Sequence, residues 1–347
     1  MQHVQTQKKQ QGQKRSFSFD KPLYDGDKYF DRLRIAIALF NPLNAMVPND
    51  KILDYKQYLD DMRARERIER QEGREFKLTD QQIHVIRRAQ IVTGASIHPD
   101  TGQLISWPFR MSSFLFMGLP LTVGLTMAPP TGFNTFFWQW LTQTYFAGLN
   151  FSNRNASNEE SYVSSFMGFT AAAGSGIAIA LLLRGMFGRF AGSYPGNQIL
   201  FNTTTSFLAL AGAGYVNSMV MRNQELKNGI TLYDEHNIEV GMSKVAAKQA
   251  VMQTATTRIL LAFEMVFVPG FIIGLLQKRY MMPQSGGLRS LSELAIISSV
   301  LLLGLPASIA AYHREGRIEP RQVERELRNY TLTDGKPPKY FYYNRGL

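Results

Sequence analysis

Five long apolar runs in the second part of the sequence constrain the fold more than any other feature. Four of them contain no charged residue, and the other contains one carboxyl group, Glu264. An α-helix needs about 20 residues to cross a hydrocarbon layer about 30 Å thick, whereas the core helices of soluble proteins are usually shorter and amphipathic. The runs therefore predict an all-α, polytopic membrane protein with five transmembrane helices between residues 111 and 312. They cover residues 111–128, 162–183, 199–221, 259–276 and 294–312.

The region before the first run has a different character. Residues 25–110 mix charged and apolar residues at helical spacing, which predicts a water-exposed helical domain. Thr79 followed three residues later by Gln82 predicts a capping box at the start of one of its helices. Residues 1–24 form a basic, Gln-rich arm, for which an unstructured tail is an equally good interpretation.

The stretch between the first two runs carries eight aromatic residues and a group of polar ones. Aromatic side chains collect at the headgroup boundary, so this stretch predicts an interfacial or re-entrant helix. A zwitterionic amino acid needs a cation for its carboxylate and acceptors for its ammonium group. Four residues beside the aromatic ones can supply both and form a candidate substrate site: Gln139, Asn150, Asn153 and Arg154. The alternative is that Arg154 only reaches toward a lipid headgroup.

Glu264 is the only acidic or basic residue inside the five runs. A charged side chain costs at least about 2.5 kcal/mol at the bilayer centre on insertion scales, so an intramembrane acid predicts a functional role. Glu264 can bind a coupling proton or pair with a cation. Arg258 is six residues away, nearly on the opposite side of the same helix, which makes a direct pair unfavourable. The alternative is that Glu264 faces water near a helix end.

A short motif before the first run contains His98, Asp100 and Thr101. These residues can form a gate or contact the ammonium group of a substrate. The alternative is structural, because an Asp in a Pro-Asp-Thr-Gly turn accepts backbone N–H groups. Such a turn would hold the linker between the soluble domain and the membrane.

Composition argues against catalysis and against nucleic acid binding. The absence of cysteine excludes disulfides, thiol nucleophiles and thiolate-bound metals. The five histidines are scattered, and Gly174-Ser175-Gly176 lacks the third glycine of a dinucleotide-binding loop. We therefore expect no enzymatic activity, no metal and no cofactor. The formal charge of +11 fits membrane lipid better than nucleic acid, because the basic residues are interleaved with acidic ones.

Charges in the predicted loops indicate an orientation. Arg184 and Arg189 follow the second run, and three further cations lie between the fourth and fifth runs: Lys278, Arg279 and Arg289. With five spans, both of these loops lie on the side of the N-terminal domain. The positive-inside rule therefore favours the matrix or cytoplasmic side for that domain.

Several short motifs keep a fixed order along the chain. They are His98-Pro99-Asp100-Thr101-Gly102, Arg110-Met111-Ser112, Phe137-Trp138-Gln139-Trp140 and Asn150-Phe151-Ser152-Asn153-Arg154. Together they resemble, in residues and in order, motifs of the sideroflexin family, and the resemblance covers about residues 25–312. One departure lies in the fourth span, where Glu264-Met265-Val266 stands in place of the family's Pro-Gly-Met.

This resemblance implies a mitochondrial inner-membrane protein with five spans, inserted without a cleaved presequence. It also implies transport of neutral amino acids, serine above all, in support of one-carbon metabolism. The partners would then be membrane lipid and a small, serine-like amino acid, with the N-terminal domain on the matrix side.

An alternative function is that of a non-transporting accessory subunit in a larger inner-membrane complex, built on the same fold. The changed fourth span and the two tails motivate this hypothesis. In the C-terminal tail, residues 313–347, the part from 314 to 330 can form a charged helix. Aromatic residues near the end of the tail suit docking on partner subunits. They include Tyr340, Phe341, Tyr342 and Tyr343.

Overall fold

The chain divides into two compact units, Met1–Phe114 and Leu115–Leu347. The computed structural model describes residues 14–20, 26, 28–99, 101–153, 162–188, 195–313, 315–332 and 335–344. Most of these residues are helical, as the sequence predicts, but two small β-sheets are also present.

The N-terminal unit is a group of helices with a short antiparallel ribbon. Its helices are α1 (Tyr29–Leu39), α2 (Asn49–Gln71) and α3 (Asp80–Ser96), and 3-10 turns lie at Pro42–Asn44, Trp107–Phe109 and Met111–Ser113. The ribbon pairs β1 (Arg15–Ser16) with β2 (Lys77–Leu78).

The core of this unit lies between α2 and α3, where Leu59 and Met62 pack with Ile86 and Ala89. The predicted capping box is confirmed. The hydroxyl of Thr79 accepts the backbone N–H of Gln82 at 3.3 Å, and the Gln82 side chain accepts the backbone N–H of Thr79 at 3.0 Å.

Long apolar helices build the second unit. Its helices are α4 (Phe114–Met127), α5 (Gly132–Ser152), α6 (Tyr162–Phe187), α7 (Pro195–Met221), the short α8 (Asn223–Asn228), α9 (Lys244–Ala262), α10 (Val268–Lys278) and α11 (Gly286–Ala310). A π-helical turn at Phe263–Phe267 joins α9 to α10 without a break. Its cause is visible in the sequence, because Pro269 has no N–H to donate to the preceding turn.

Four helices in the described part of the chain are long and apolar enough to cross a membrane: Phe166–Phe187, Gly196–Met221, Lys244–Lys278 and Gly286–Ala310. They overlap the second to fifth predicted spans. The first predicted span, residues 111–128, forms a 3-10 turn followed by α4, whose 14 residues rise only about 21 Å. That length falls short of a hydrocarbon layer about 30 Å thick, so the predicted count of five is not confirmed.

The helix formed by α9 and α10 contains a stretch that matches the thickness of a bilayer. Between Arg258 and Lys278 the only charged residue is Glu264. The 20 residues from Arg258 to Lys278 rise about 30 Å. At the far end of this stretch Gly196 of α7 touches Lys278, and near its other end Gly214 of α7 touches Arg258. The two cations therefore bound an apolar stretch about as long as a bilayer is thick, and its two ends are called here the Arg258 face and the Lys278 face.

Glycines allow the membrane helices to approach closely. A methyl group added at Gly270 would lie 2.0 Å from the Thr203 hydroxyl, and one added at Gly212 would lie 2.5 Å from Ile179. At Gly196 the obstacle is the backbone itself, with the carbonyl oxygen of Gly274 at 2.8 Å and the nitrogen of Lys278 at 2.9 Å. Small residues of this kind drive helix association in lipid, where no hydrophobic effect acts between helices.

A four-stranded antiparallel sheet lies beyond the helix ends, with strand order β4-β3-β6-β5. Its strands are β3 (Ile230–Tyr233), β4 (Glu239–Ser243), β5 (Glu315–Ile318) and β6 (Phe341–Asn344). The sheet joins the connection between α7 and α9 to the segment that follows α11. An open sheet is not stable in lipid, so both segments must lie on one side of the membrane. Two crossings between them, α9–α10 and α11, meet this requirement.

The prediction of a charged helix at residues 314–330 is wrong. In β5, exposed Glu315 and Arg317 alternate with buried Gly316 and Ile318, and a 3-10 turn at Pro320–Gln322 follows. Burial of every second residue is typical of a strand with one face on the core. Pro320 prevents a helix from continuing through this point.

Two of the four aromatic residues predicted to dock on a partner are buried inside this chain instead. Phe341 and Tyr343 pack in a core cluster with Leu232 of β3 and Ala250 of α9. Alternation along β6 explains this, because every second side chain of a strand points to the same face. The other two, Tyr340 and Tyr342, are half-buried.

We expect Gly196→Ala to destabilise the helix bundle by about 1–3 kcal/mol, because its methyl group would overlap the backbone of α10. Gly174→Ala is the matched control on α6, since no atom lies within 4 Å of the added methyl group. Thermal unfolding in detergent should show a lower Tm for the first variant and an equal or higher Tm for the second. Equal Tm values for both variants would contradict the close packing of α7 on α10.

The hydrogen bonds of Asp234 indicate that the stability of the four-stranded sheet depends on pH. Burial alone would raise the pKa of Asp234, but the N–H groups of Ile238 and His236 and the hydroxyl of Tyr330 bind its ionised form, so its pKa is lowered. A carboxyl with a lowered pKa stabilises the fold above the pKa of the unfolded chain, about 4. This contribution disappears as the pH falls through the pKa of the folded state.

We therefore expect Asp234→Asn to lower stability at neutral pH and to reduce its dependence on pH below about pH 4. Limited proteolysis of the C-terminal segment across that pH range measures the effect. Glu326→Gln, an exposed change in the same segment, serves as the control. If the rate of proteolysis of Asp234→Asn changes with pH in the same way as that of the unmodified protein, this hydrogen-bonded carboxyl does not hold the sheet together.

Candidate functional site

Helix α5 buries a row of polar residues, together with Tyr145, and exposes several of its aromatic residues. Thr135, Gln139, Thr142 and Gln143 are buried, and their spacing places them along one face of the helix. Phe133 is 73 % exposed, and Phe136, Trp140 and Phe151 are also exposed. This pattern is the inverse of a soluble helix and is typical of a helix in lipid that lines a polar interior. The aromatic stretch is thus helical, while its interfacial position stays a prediction.

A break in the chain separates α4 from α5 at Pro129-Pro130. In a continuous helix the carbonyls of Leu125 and Thr126 would accept the N–H groups of residues 129 and 130, which proline lacks. Side chains of α7 replace those donors. The Ser206 hydroxyl donates to the Leu125 carbonyl at 2.9 Å, and the Asn202 amide donates to the Thr126 carbonyl at 3.2 Å.

The other side of the break is capped in the same way. Asn202 also donates to the carbonyl of Ala128 at 3.1 Å. The first turn of α5 is closed by the Thr131 hydroxyl, which accepts the N–H of Asn134 at 3.1 Å, and by the Asn134 amide, which donates to Pro129 at 2.8 Å. Such complete pairing is what a break within lipid requires, because the hydrocarbon offers no partner for a free backbone group.

Arg184 places a positive charge beside this break. The sequence analysis assigned it to a loop, but it lies in the last turn of α6 and points back into the bundle. One of its terminal nitrogens donates to the Asn202 side-chain carbonyl at 3.0 Å, and the guanidinium lies 5.8 Å from the ring centre of Phe201. Within the described residues its Nε and Nη1 atoms are buried without a hydrogen-bond partner.

A small cavity of about 10 Å³ lies between Arg184 and Gln139. Trp138, Asn134 and Ser206 also line it. Gln139 is 1 % exposed, and neither its amide oxygen nor its amide nitrogen has a partner among the described residues. The volume holds about one water molecule. Its lining residues come from α4, α5, α6, α7 and the α4–α5 connection.

Four unpaired polar atoms around one cavity need a physical explanation, because each orphaned buried group costs about 1–3 kcal/mol. Bound water or a bound ligand usually supplies the missing partners in native proteins. Nε and Nη1 of Arg184 each share one edge of the guanidinium with Nη2, which has a second N–H besides the one donated to Asn202, so a carboxylate can bind along one of these edges. Gln139 offers one further donor and one acceptor. The C-terminal carbonyls of α4 add a partial negative charge. This combination suits a small zwitterion.

The structure separates three of the four residues of the predicted substrate site. Gln139 lies in the cavity, whereas Asn150 is exposed 11 residues further along α5, about 16 Å away along the helix axis. Asn153 caps the end of α5 and donates to the carbonyl of Leu149 at 2.8 Å. Arg154 lies outside the described residues. Arg184 and Asn202 instead provide the cation and the second amide beside Gln139.

The short motif that begins at His98 forms a turn in the N-terminal unit. The ring nitrogen Nδ1 of His98 accepts the N–H of Thr101 at 3.3 Å, and the His98 carbonyl accepts the N–H of Gly102 at 2.9 Å. Gly102 has a φ of +65°, a conformation that favours glycine. Asp100 lies outside the described residues, so its predicted role stays a prediction.

Comparison with known proteins agrees with the motif resemblance. The family model "Sideroflexins" matches residues 18–347. Sideroflexin FSF1 of Saccharomyces cerevisiae is 31% identical over 325 residues, which is 93% of this chain and 95% of the yeast protein. Human Sideroflexin-5 is 29% identical over 331 residues, which is 95% of this chain and 93% of the human protein. No solved structure matches the chain.

A family match over nearly the whole chain, a close relative of similar length and four apolar helices of membrane-spanning length point to one conclusion. The chain belongs to the sideroflexin family and is a membrane protein.

Proposed function

We propose that this protein carries serine or a similar small neutral amino acid across the mitochondrial inner membrane, in support of one-carbon metabolism. The observation that carries the proposal is the cavity between Arg184 and Gln139, whose buried polar atoms lack partners within the described residues. Membership of the sideroflexin family and four helices of spanning length support a transport role.

Charge matching favours a neutral zwitterion as the solute. Within the described residues, the cavity lining contains one cation, Arg184, and no acidic residue. One guanidinium balances one carboxylate, so a dicarboxylate would leave a charge unpaired, and a cationic side chain would find no counter-ion. The ammonium group can use the second lone pairs of the Leu125 and Ala128 carbonyls, and a serine hydroxyl can bond to the Gln139 amide.

Transport requires the cavity to open, because about 10 Å³ is too little space for an amino acid. Discontinuous helices commonly provide such movement in transporters. This protein has two irregular points, the break at Pro129-Pro130 and the π-helical turn at Phe263–Phe267. Movement of α4 and α5 against α6 and α7 would widen the space beside Arg184 and expose it to one side of the membrane.

We also propose an orientation. Asn202 lies six residues from Gly196, which touches Lys278, so the cavity lies about 9 Å inside the face marked by Lys278. Lys278, Arg279 and Arg289 gather at that face. The positive-inside rule assigns it to the matrix.

The test is uptake of labelled serine by purified protein in liposomes. We expect Arg184→Ala to weaken apparent serine affinity roughly 10- to 100-fold, the loss of a hydrogen-bonded charge pair of about 1.5–3 kcal/mol. Arg184→Lys should give an intermediate value, because lysine keeps the charge but loses the two-pronged geometry. Arg289→Ala, which removes a cation paired with Glu293 at the end of α11, is the matched control.

Two results would contradict this proposal. If Arg184→Ala transports serine as well as the unmodified protein, the cavity is not the binding site. If the unmodified protein takes up no amino acid while another carrier works in parallel liposomes, transport is rejected and the accessory-subunit hypothesis is favoured. In that case native gels after mild solubilisation should show the protein within a larger complex.

A further inference from the structure

Glu264 lies within the hydrocarbon layer, away from the cavity. It is six residues, or about 9 Å, from Arg258 and 14 residues, or about 21 Å, from Lys278, the two cations that bound the apolar stretch of this helix. None of the residues that line the Arg184 cavity comes from α9, α10 or α11. The carboxyl group is therefore a separate polar feature of the membrane unit.

The π-helical turn directs Glu264 toward α11. There the Ser308 hydroxyl lies 2.5 Å from one carboxyl oxygen of Glu264. One turn earlier on α11, Gly304 makes room for the same side chain, since an added methyl group would lie 3.2 Å from that oxygen. Two successive turns of α11 thus form a fitted surface for one carboxyl group. A larger residue at either position would displace it.

Within the described part of the chain, no ion pair balances the charge of a Glu264 carboxylate. The π-helical turn packs against α7, α9, α10 and α11. Helix α7 has no acidic or basic residue, and the charges of α10 and α11 lie at the opposite membrane face, at Lys278, Arg289 and Glu293. On α9 the first cation before Glu264 is Arg258, six residues earlier, and beyond the end of α11 the titratable His313 lies five residues after Ser308. Among the described residues Glu264 forms no ion pair, and Ser308 is its one hydrogen-bond partner.

One hydroxyl is too little to stabilise an ion at this depth. An ionised carboxylate has about four lone-pair sites to satisfy, and a charge in the hydrocarbon layer costs several kcal/mol unless it is paired. A neutral carboxylic acid needs fewer partners, and it can both donate to and accept from a serine hydroxyl. Ser308 lies in the last turn of α11, which ends at Ala310, so the end of the helix is within about one turn of the carboxyl group.

We propose that Glu264 is a proton-binding site within the membrane. The carboxyl group holds one proton as a carboxylic acid against Ser308 and releases it to water at the Arg258 face, leaving a carboxylate. The π-helical turn, a local irregularity of α9–α10, lets the carboxyl group move between these two environments. The site rests on the membrane position of this helix and not on which solute the protein carries.

The test uses a lipophilic carbodiimide, which adds across a protonated carboxylic acid in apolar surroundings and yields a stable N-acylurea. The full-length protein in liposomes is treated over a range of pH, digested and analysed by mass spectrometry. We expect Glu264 to carry the label and the labelling to fall about tenfold per pH unit on the alkaline side of its titration. A water-soluble, membrane-impermeant carbodiimide should leave Glu264 unlabelled.

Two controls make the result specific. Glu264→Gln keeps the shape of the side chain and should remove the label from this peptide. Glu293, which accepts hydrogen bonds from Gln277 and Arg289 at the other membrane face, should react far less with the lipophilic reagent. If Glu264 stays unlabelled at every pH, is labelled independently of pH, or reacts equally with the water-soluble reagent, the proposal is overturned. The labelling needs no solute, so its result is independent of the serine uptake assay.

Discussion

The side chain of Asn202 connects a broken helix to a buried cation in the membrane unit. Its N–H groups bind the carbonyls of Thr126 and Ala128, and its oxygen accepts a hydrogen bond from Arg184. Lipid offers these groups no water, so each must find its partner within the protein. Because this one amide binds both the carbonyls at the helix break and the guanidinium of Arg184, the break and the positive charge can lie next to each other. The polar cavity depends on this arrangement.

The membrane unit places its two polar features at opposite depths. The Arg184 cavity lies about 9 Å from the face marked by Lys278, and Glu264 lies about 9 Å from the face marked by Arg258. Each lies beside an irregular point in a helix, and in each case proline causes the irregularity by removing backbone donors. Helix α7 packs on both regions.

Part of the site could be predicted from the sequence. Gln139 was identified because it is a polar residue beside an aromatic stretch, and the structure buries it in the cavity. Asn150 and Asn153 were grouped with it by nearness in the sequence, but along a helix 11 to 14 residues separate groups by about 16 to 21 Å. Arg184 was assigned to a loop because a charge directly after an apolar run usually marks its end. Its guanidinium instead points back to Asn202 on the next helix.

The sequence by itself determined the class of the protein, because apolar runs of about 20 residues have few stable environments other than lipid. It also determined the capping box of Thr79 and Gln82, which depends on residues three apart. Only the tertiary structure decided which polar side chains meet at the cavity and that the C-terminal aromatic residues pack in a sheet of this chain. Those contacts join residues distant in sequence, and local spacing carries no information about which helix or strand will lie alongside another.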